Sequence, residues 1–303
     1  MVNRMDRLNI VYLNTEQRNP KTRALDSMST MELLQVMNEE DRKVIATIHD
    51  ALPQIERCIE FVIEALRKGG KLIYLGAGTS GRLGILDAVE CVPTFSTTDE
   101  VIGIIAGGEK AFVKAVEGAE DSEELAAEDL KKINLNEKDI VIAIAASGRT
   151  PYAIGGLKYA RQIGARGIGL SCNKNSLLSN YAEVAIEVDA GPEILTGSTR
   201  LKAGTCQKII LNMISTASMV GVGKVYGNLM VDMKATNQKL VERAKRIVME
   251  STGCDLNTAQ QTLELTDYTI KEAIVMILAG VSRGEAKRRI SENEGFIKRC
   301  IVS

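Results

Sequence analysis

Five short apolar runs, separated by stretches with helical spacing, constrain the fold of this chain more than any other feature. They are "KLIYL", "VIGIIA", "DIVIAIAA", "GIGLSC" and "EVAIEVD", between residues 71 and 189. Each run is nearly continuous in apolar residues, which is typical of strands buried on both faces of a parallel sheet. The pattern predicts a doubly wound α/β domain with a five-stranded, mostly parallel sheet over about residues 51–225.

Helical patterns precede the predicted sheet. Ser29 and Glu32 have the S-x-x-E spacing of a capping box and open a periodic apolar stretch, which predicts a helix in an N-terminal segment over residues 1–50. A second helix is expected from about Pro53 to the glycine pair that starts at Gly69.

Helical patterns also follow the sheet. A long apolar stretch from Thr199 predicts a central packing helix, with Ser198 or Thr199 as its cap. After Gly227 no strand pattern recurs, and four short helical patterns follow, the last of them "SRGEAKRRISENEGFIKR". We therefore predict a small C-terminal helical domain over residues 226–303.

The charge balance excludes several classes of partner. The 303 residues carry 38 basic and 39 acidic side chains, a formal net charge of -1, so no overall basic field is available for nucleic acid or an anionic membrane. The start "MVNRMDRLNIVYLN" lacks the apolar core of a signal peptide, and no segment runs 18 apolar residues. We expect a cytoplasmic protein with no nucleic acid or membrane partner.

Histidine and cysteine usage narrows the chemistry. The six cysteines are scattered without a C-x-x-C pair, which suits reduced core thiols better than disulfides or zinc. The single histidine, His49, lies in a helical stretch far from any glycine loop, and a structural role is expected for it. Proton transfer would therefore rest mainly on carboxylates, lysine or tyrosine, and no metal site is expected.

Two loops of the same kind follow the first and third predicted strands. "GAGTSGRLG" and "ASGRTPY" each place hydroxyls, a glycine and an arginine between a strand and a helix. Backbone N–H groups at a helix start, with Ser or Thr hydroxyls, suit a phosphate, and glycine lets it approach. Ordinary helix capping explains either loop alone but explains the pair less well. The candidate phosphate-binding residues are Thr79, Ser80, Gly81, Ser147, Gly148, Arg149 and Thr150.

A dinucleotide site is the main alternative for the first loop, because Gly76, Gly78 and Gly81 have the G-x-G-x-x-G spacing. That site also needs an acidic residue at the end of the second strand. Here Asp99 and Glu100 precede the second strand, which ends in "AGGE". The pattern therefore favours a sugar phosphate.

Acidic residues between the two loops are candidates for acid–base chemistry, although periodicity alone selects none of them. Glu90 is expected near the end of a helix begun at Gly81, beside a chain reversal at Pro93. Further on, "GPEILTGSTRLKAGTCQK" places Arg200 and Lys202 at a helix start, where the positive end of the helix dipole gives a cation no advantage. We expect a local acidic or anionic partner for them.

The chain resembles the N-acetylmuramic acid 6-phosphate etherases, bacterial cytoplasmic enzymes of the sugar isomerase (SIS) fold that are related to the glucokinase regulatory protein. The resemblance spans nearly the whole chain and implies cleavage of a D-lactyl ether to give D-lactate and N-acetylglucosamine 6-phosphate in cell-wall sugar recycling. Its matching stretches are "TEQRNP", "YLGAGTSGRLGILDAVECVPT", "IAGGEKAFVKAVEGAED", "AASGRTPY", "GPEILTGSTRLKAGT" and "GKVYGNLMVDMKATNQKL".

The resemblance also implies roles for individual residues. Glu90, in "LDAVEC", would protonate the departing lactate, and Glu120, in "EGAED", would be its partner near C2. Arg149 would bind either the phosphate or the lactyl carboxylate. A homodimer is implied, in which Glu193 and its loop reach the partner's site.

The implied chemistry needs no metal or cofactor. In the open-chain sugar the aldehyde acidifies the C2 hydrogen, so its removal can expel the C3 lactate, and water then adds to the double bond. Two carboxylates with different pKa values could carry both steps. A non-catalytic sugar-phosphate sensor and an aldose–ketose isomerase of the same fold remain alternatives, although neither needs an acid for a leaving ether.

Overall fold

The computed structural model describes residues 11–114 and 116–301. The first ten residues of the predicted N-terminal segment and the last two of the predicted C-terminal domain lie outside this range. The chain forms two compact units. The first comprises the chain up to Ala88 and Glu100–Ile214, and the second comprises Val89–Asp99 and the chain from Ser215 onwards. The domain boundary expected between residues 225 and 226 stays a prediction.

The first unit begins with short 3-10 turns at Asn14–Glu16, Pro20–Thr22 and Leu25–Ser27, followed by helices α1 (Thr30–Asp50) and α2 (Leu52–Arg67). The predicted capping box is confirmed. The Glu32 N–H donates to the Ser29 hydroxyl over 3.3 Å, and the Ser29 N–H donates to the Glu32 carboxylate over 2.8 Å. This exchange satisfies two N–H groups at the start of α1.

The sheet has five parallel strands in the order β2-β1-β3-β4-β5, which confirms the predicted fold class. All six residues of β3 are buried. A central strand covered on both faces explains its unbroken apolar sequence. The strands are β1 (Leu72–Gly76), β2 (Val101–Ile105), β3 (Ile140–Ala145), β4 (Arg166–Ser171) and β5 (Val184–Glu187).

Helices cover both faces of the sheet. On one face, Ile73 and Val141 share a core with Leu130 of α5 and Tyr152 of α6. On the other face, the Tyr74 hydroxyl reaches the Leu211 carbonyl of α7 over 3.5 Å. The remaining helices of this part of the chain are α3 (Gly78–Phe95), the short α4 (Lys110–Val113), α5 (Glu123–Lys132), α6 (Pro151–Ile163) and α7 (Lys202–Gly221).

Helix α3 differs from its prediction at both ends. It begins at Gly78 rather than Gly81, and it continues through Pro93 to Phe95. The expected chain reversal at Pro93 is therefore wrong. Pro93 removes one backbone N–H donor, yet the helix persists for two more residues. The chain turns at Ser96, where φ is 54°.

The second unit contains five helices after α7: α8 (Gln238–Thr252), α9 (Leu256–Leu265), α10 (Ile270–Ala279), α11 (Arg283–Glu292) and α12 (Ile297–Ile301). Four were expected. The last pattern divides because Glu294 and Gly295 both have positive φ, at 53° and 83°, which ends a right-handed helix. Val248, Leu263 and Ile274 lie in the apolar core of the second unit.

Among the described helices, none has the length and apolar character that crossing a membrane requires.

Candidate functional site

The first loop joins β1 to α3 with little space between them. A Cβ on Gly76 would lie 2.9 Å from the Gly81 nitrogen, and a Cβ on Gly81 would lie 2.7 Å from the Gly76 carbonyl oxygen. Gly78, at the start of α3, has a φ of 53°. Glycine at these positions lets the first turn of α3 approach the carboxyl end of β1.

The two hydroxyls of this loop differ in their surroundings. The Ser80 side chain is buried and donates to the Gln207 side-chain oxygen of α7 over 2.9 Å. This bond ties α3 to α7. The Thr79 side chain is half-buried and forms no hydrogen bond with the described residues. Thr79 is therefore better placed than Ser80 to offer its hydroxyl to a ligand.

The second loop lies between β3 and α6. Gly148 has a φ of 67°, and a Cβ there would overlap with the side chain of Ser176. The Arg149 N–H donates to the Ser147 hydroxyl over 3.2 Å. Thr150 occupies the N-cap position of α6 without a side-chain capping bond, so the N–H groups of this first turn have no side-chain acceptor among the residues that the structure describes.

The two loops lie side by side. Strands β1 and β3 are adjacent and parallel, with Gly76 paired to Ile144, so both loops emerge at the same edge of the sheet. Thr79 and Gly81 of one loop and Ser147 and Thr150 of the other therefore follow adjacent strands at this edge. This edge is where open parallel sheets bind ligands.

A cavity of about 260 Å³ lies beside the first loop. Glu120 lines it from the 3-10 turn Ala119–Asp121, and its side chain is exposed. Glu117 and Asp121 also line it, so the cavity alone does not single out Glu120. Its lining residues are Ala77, Gly78, Arg82, Ala106, Ala111, Val116, Glu117, Gly118, Glu120 and Asp121.

Glu90 is exposed on α3 and belongs to the second unit, whereas the other predicted site residues belong to the first. It does not line the cavity described above. The preceding acidic residue, Asp87, is buried and accepts a hydrogen bond from Asn212 over 2.6 Å. Of these two neighbouring carboxylates, Glu90 is the one accessible to a ligand.

Glu193 has a clear structural role. Its side chain is 1% exposed, and its two oxygens accept hydrogen bonds from the N–H groups of Lys202 and Ala203 over 3.0 and 2.9 Å. Burial raises the pKa of Glu193, and these two bonds offset the effect only in part. The expected cap at Ser198 or Thr199 is wrong, because α7 starts later and Glu193 caps it. A substrate-binding role for Glu193 stays a prediction.

Lys202 has the acidic partner expected from its position. Its side chain is 1% exposed and donates to the Glu40 carboxylate and to the Ala190 carbonyl, each over 2.9 Å. Burial alone would raise the pKa of Glu40, but hydrogen bonds from Lys43, Lys202 and Asn19 outweigh it and lower that pKa to about 2. No sequence signal identified Glu40 as the partner.

Asn19 and its neighbours attach the N-terminal segment to the edge of the sheet. Thr15 accepts a hydrogen bond from Asn173 over 3.0 Å, and Asn173 also donates to the Ala146 carbonyl, next to the second loop. Thr22 donates to the Ile194 carbonyl over 2.7 Å. The contacts from Thr15 through Asn173 to Ala146 therefore hold the "TEQRNP" stretch close to the second loop. Within the described chain, no cluster of three or more potential ligands is placed to hold a metal ion.

Comparison with known proteins agrees with this architecture. Residues 54–161 match the glucokinase regulatory protein N-terminal SIS domain, and residues 113–217 match the SIS domain. A phosphoheptose isomerase from Francisella tularensis superposes with a TM-score of 0.50 at 18% identity, over 64% of this chain and 98% of that one. This likeness establishes the fold.

Similarity in sequence is much closer. The chain is 60% identical over 290 residues to the N-acetylmuramic acid 6-phosphate etherases of Bacillus cereus (strain ATCC 10987 / NRS 248) and Bacillus mycoides (strain KBAB4). The match covers 95% of this chain and 99% of each relative. Identity at this level, over nearly the full length of both proteins, shows that the chain belongs to the N-acetylmuramic acid 6-phosphate etherase family.

Proposed function

We propose that this protein cleaves the D-lactyl ether of N-acetylmuramic acid 6-phosphate to N-acetylglucosamine 6-phosphate and D-lactate, as a carbon–oxygen lyase of cell-wall amino sugar recycling. The observation that carries the proposal is the 60% identity to etherases over 95% of the chain. The cavity supports it, because it places the exposed carboxylate of Glu120 beside a phosphate-type loop.

In this proposal the 6-phosphate binds between the two loops. The uncapped first turn of α6 offers N–H donors and the positive end of a helix dipole. Thr79, Ser147 and Thr150 add hydroxyl donors, and Arg149 adds a positive charge. Gly81 and Gly148 keep the backbone accessible to the phosphate.

The proposed reaction is an elimination followed by an addition. Glu120 removes the C2 proton of the open-chain aldehyde, and the resulting electron pair forms the C2–C3 double bond as the C3–oxygen bond breaks. Glu90 donates a proton to the departing lactate oxygen. Water then adds at C3 with Glu90 as the base, while C2 regains its proton from Glu120. The protein's own carboxylates supply both proton transfers.

We also propose a homodimer that acts in the cytoplasm. Leu86, Val89 and Val92 recur every three residues on α3 and are 45%, 58% and 41% exposed, which supports an apolar contact along this helix. None of the six cysteines, all of which belong to the described residues, forms a disulfide, as a reducing compartment favours.

The deciding experiment incubates the purified protein with N-acetylmuramic acid 6-phosphate and measures D-lactate with a coupled dehydrogenase. Lactate release in D₂O with deuterium at C2 of the amino sugar product is the expected result. Binding without release would favour a sensor, and a ketose product from amino sugar phosphates would favour an isomerase. Either outcome would contradict the etherase proposal.

A further inference from the structure

Arg82 stands out among the residues that line the cavity. Three of the described lining residues are acidic, namely Glu117, Glu120 and Asp121, and Arg82 is the one cation among them. It belongs to the first-loop sequence "GAGTSGRLG" and lies in the second turn of α3. Arg82 is therefore the feature of this cavity best suited to an anion.

The contacts of Arg82 leave most of its donors available. Its Nε–H donates to the Phe112 carbonyl over 2.9 Å. It forms no ion pair with any carboxylate in the described part of the chain, even though three line the same cavity. One bond at Nε restrains the guanidinium plane, and the N–H groups on Nη1 and Nη2 remain to bind a planar carboxylate in a fork.

The substrate proposed above carries two anionic groups, and the two loops account for only one. The lactyl carboxylate is attached through C3, next to the C2 atom on which Glu120 acts. A carboxylate brought among three acidic side chains is repelled unless a cation accompanies it. Arg149 already interacts within the protein and lies on the second loop.

We propose that Arg82 binds the lactyl carboxylate and thereby selects the lactyl ether over amino sugar phosphates that lack it. This assignment rests on the proposed function. In this assignment Arg82 binds the lactyl leaving group, while Glu120 acts at C2 of the sugar. Loss of Arg82 then weakens binding of the substrate but not of the product, N-acetylglucosamine 6-phosphate.

The test measures equilibrium binding of both sugar phosphates by calorimetry in a Glu120→Gln background, in which turnover is suppressed. Adding Arg82→Gln is expected to weaken binding of N-acetylmuramic acid 6-phosphate on the order of 10- to 100-fold, as expected when a charge-assisted pair is lost. Binding of N-acetylglucosamine 6-phosphate should change less than about twofold. Arg82→Lys should recover part of the loss, because lysine keeps the charge but not the fork.

Arg161→Gln is the matched control, since Arg161 is an exposed arginine in the last turn of α6, and it should leave both affinities unchanged. Equal weakening of both ligands by Arg82→Gln, or no weakening, would overturn the assignment. Failure of the wild-type protein to release lactate would instead overturn the proposed function. The ligand-specific loss would in that case still assign Arg82 to the lactyl carboxylate.

Discussion

Single side chains differ in whether they hold the fold or face the cavity. Glu193 and Lys202 are nearly inaccessible, and their polar atoms bind other parts of the protein. Glu120 is exposed beside the first loop. A buried carboxylate whose oxygens both accept N–H bonds stabilises structure, whereas an exposed one in a cavity can exchange protons with a substrate.

The roles proposed for the two glutamates predict different losses. Glu90→Gln should lower lactate release by about 10²- to 10⁴-fold, the contribution typical of a general acid. It should leave affinity for N-acetylglucosamine 6-phosphate nearly unchanged. Glu120→Gln should lower lactate release as well, and in addition it should stop the exchange of the C2 hydrogen of N-acetylglucosamine 6-phosphate for deuterium in D₂O, as followed by NMR.

Glu128→Gln provides the control, because Glu128 is exposed on α5 and does not line the cavity. Wild-type lactate release by Glu90→Gln would remove Glu90 from the reaction. Undiminished C2 exchange in Glu120→Gln would do the same for Glu120.

Among the structural elements, the two helices that start near the sheet edge differ in whether a side chain accepts their first N–H groups. Glu193 binds the first N–H groups of α7, which closes that helix start to ligands. Helix α6 has Thr150 at its N-cap without a side-chain bond. Because free N–H groups attract anions, the uncapped helix is the better phosphate site. The contrast between α6 and α7 was not visible in their sequences, which both contain Gly, Ser or Thr before the helix.

The Glu40–Lys202 pair joins α1 to α7, and it predicts a pH-dependent stability. The pKa of Glu40 is lowered from its usual 4.5 to about 2. The stabilisation is therefore fully present above pH 4.5 and is lost as the pH falls towards 2, because the unfolded chain takes up the proton first. A shift of this size corresponds to about 3 kcal/mol.

We expect Glu40→Gln to lower the free energy of unfolding in urea by about 3 kcal/mol at neutral pH, since it leaves the buried Lys202 without its carboxylate. The loss should be smaller at pH 3. Glu39→Gln is the control, because Glu39 is the adjacent, exposed carboxylate, and it should change stability by less than about 0.5 kcal/mol. A cost for Glu40→Gln that does not vary with pH would contradict the lowered pKa.

For the molecule as a whole, the proposed homodimer predicts a role for helix α3. The apolar positions of α3 predict that Val89→Asp shifts the protein from dimer to monomer in sedimentation equilibrium, because a charge would be buried in the contact. The monomer should remain folded by circular dichroism, since Val89 is 58% exposed within the chain. Thr205→Asp, at an exposed position on α7, is the control. An unchanged dimer in Val89→Asp would exclude α3 from the interface.

Much of the fold could be predicted because its signals are local. The capping box at Ser29 and the apolar runs of the five strands depend on residues close together in sequence. The predictions at Pro93 and at the start of α7 were wrong for a related reason. Local rules expect a turn at proline and a hydroxyl cap, whereas α3 continues past Pro93 and tertiary packing brings Glu193 to the start of α7.

The amino-acid sequence by itself determined the parallel sheet and the positions of the two glycine loops, and through resemblance it predicted Glu90 and Glu120 as the catalytic pair. Tertiary structure alone decided which charges meet. Lys202 and Glu40 are 162 positions apart, and Arg82 shares a cavity with Glu120 only because the start of α3 lies beside the 3-10 turn Ala119–Asp121. Whether a charge is buried and paired depends on distances in space between residues that are far apart in sequence. Tertiary folding sets these distances, and no local sequence pattern encodes them.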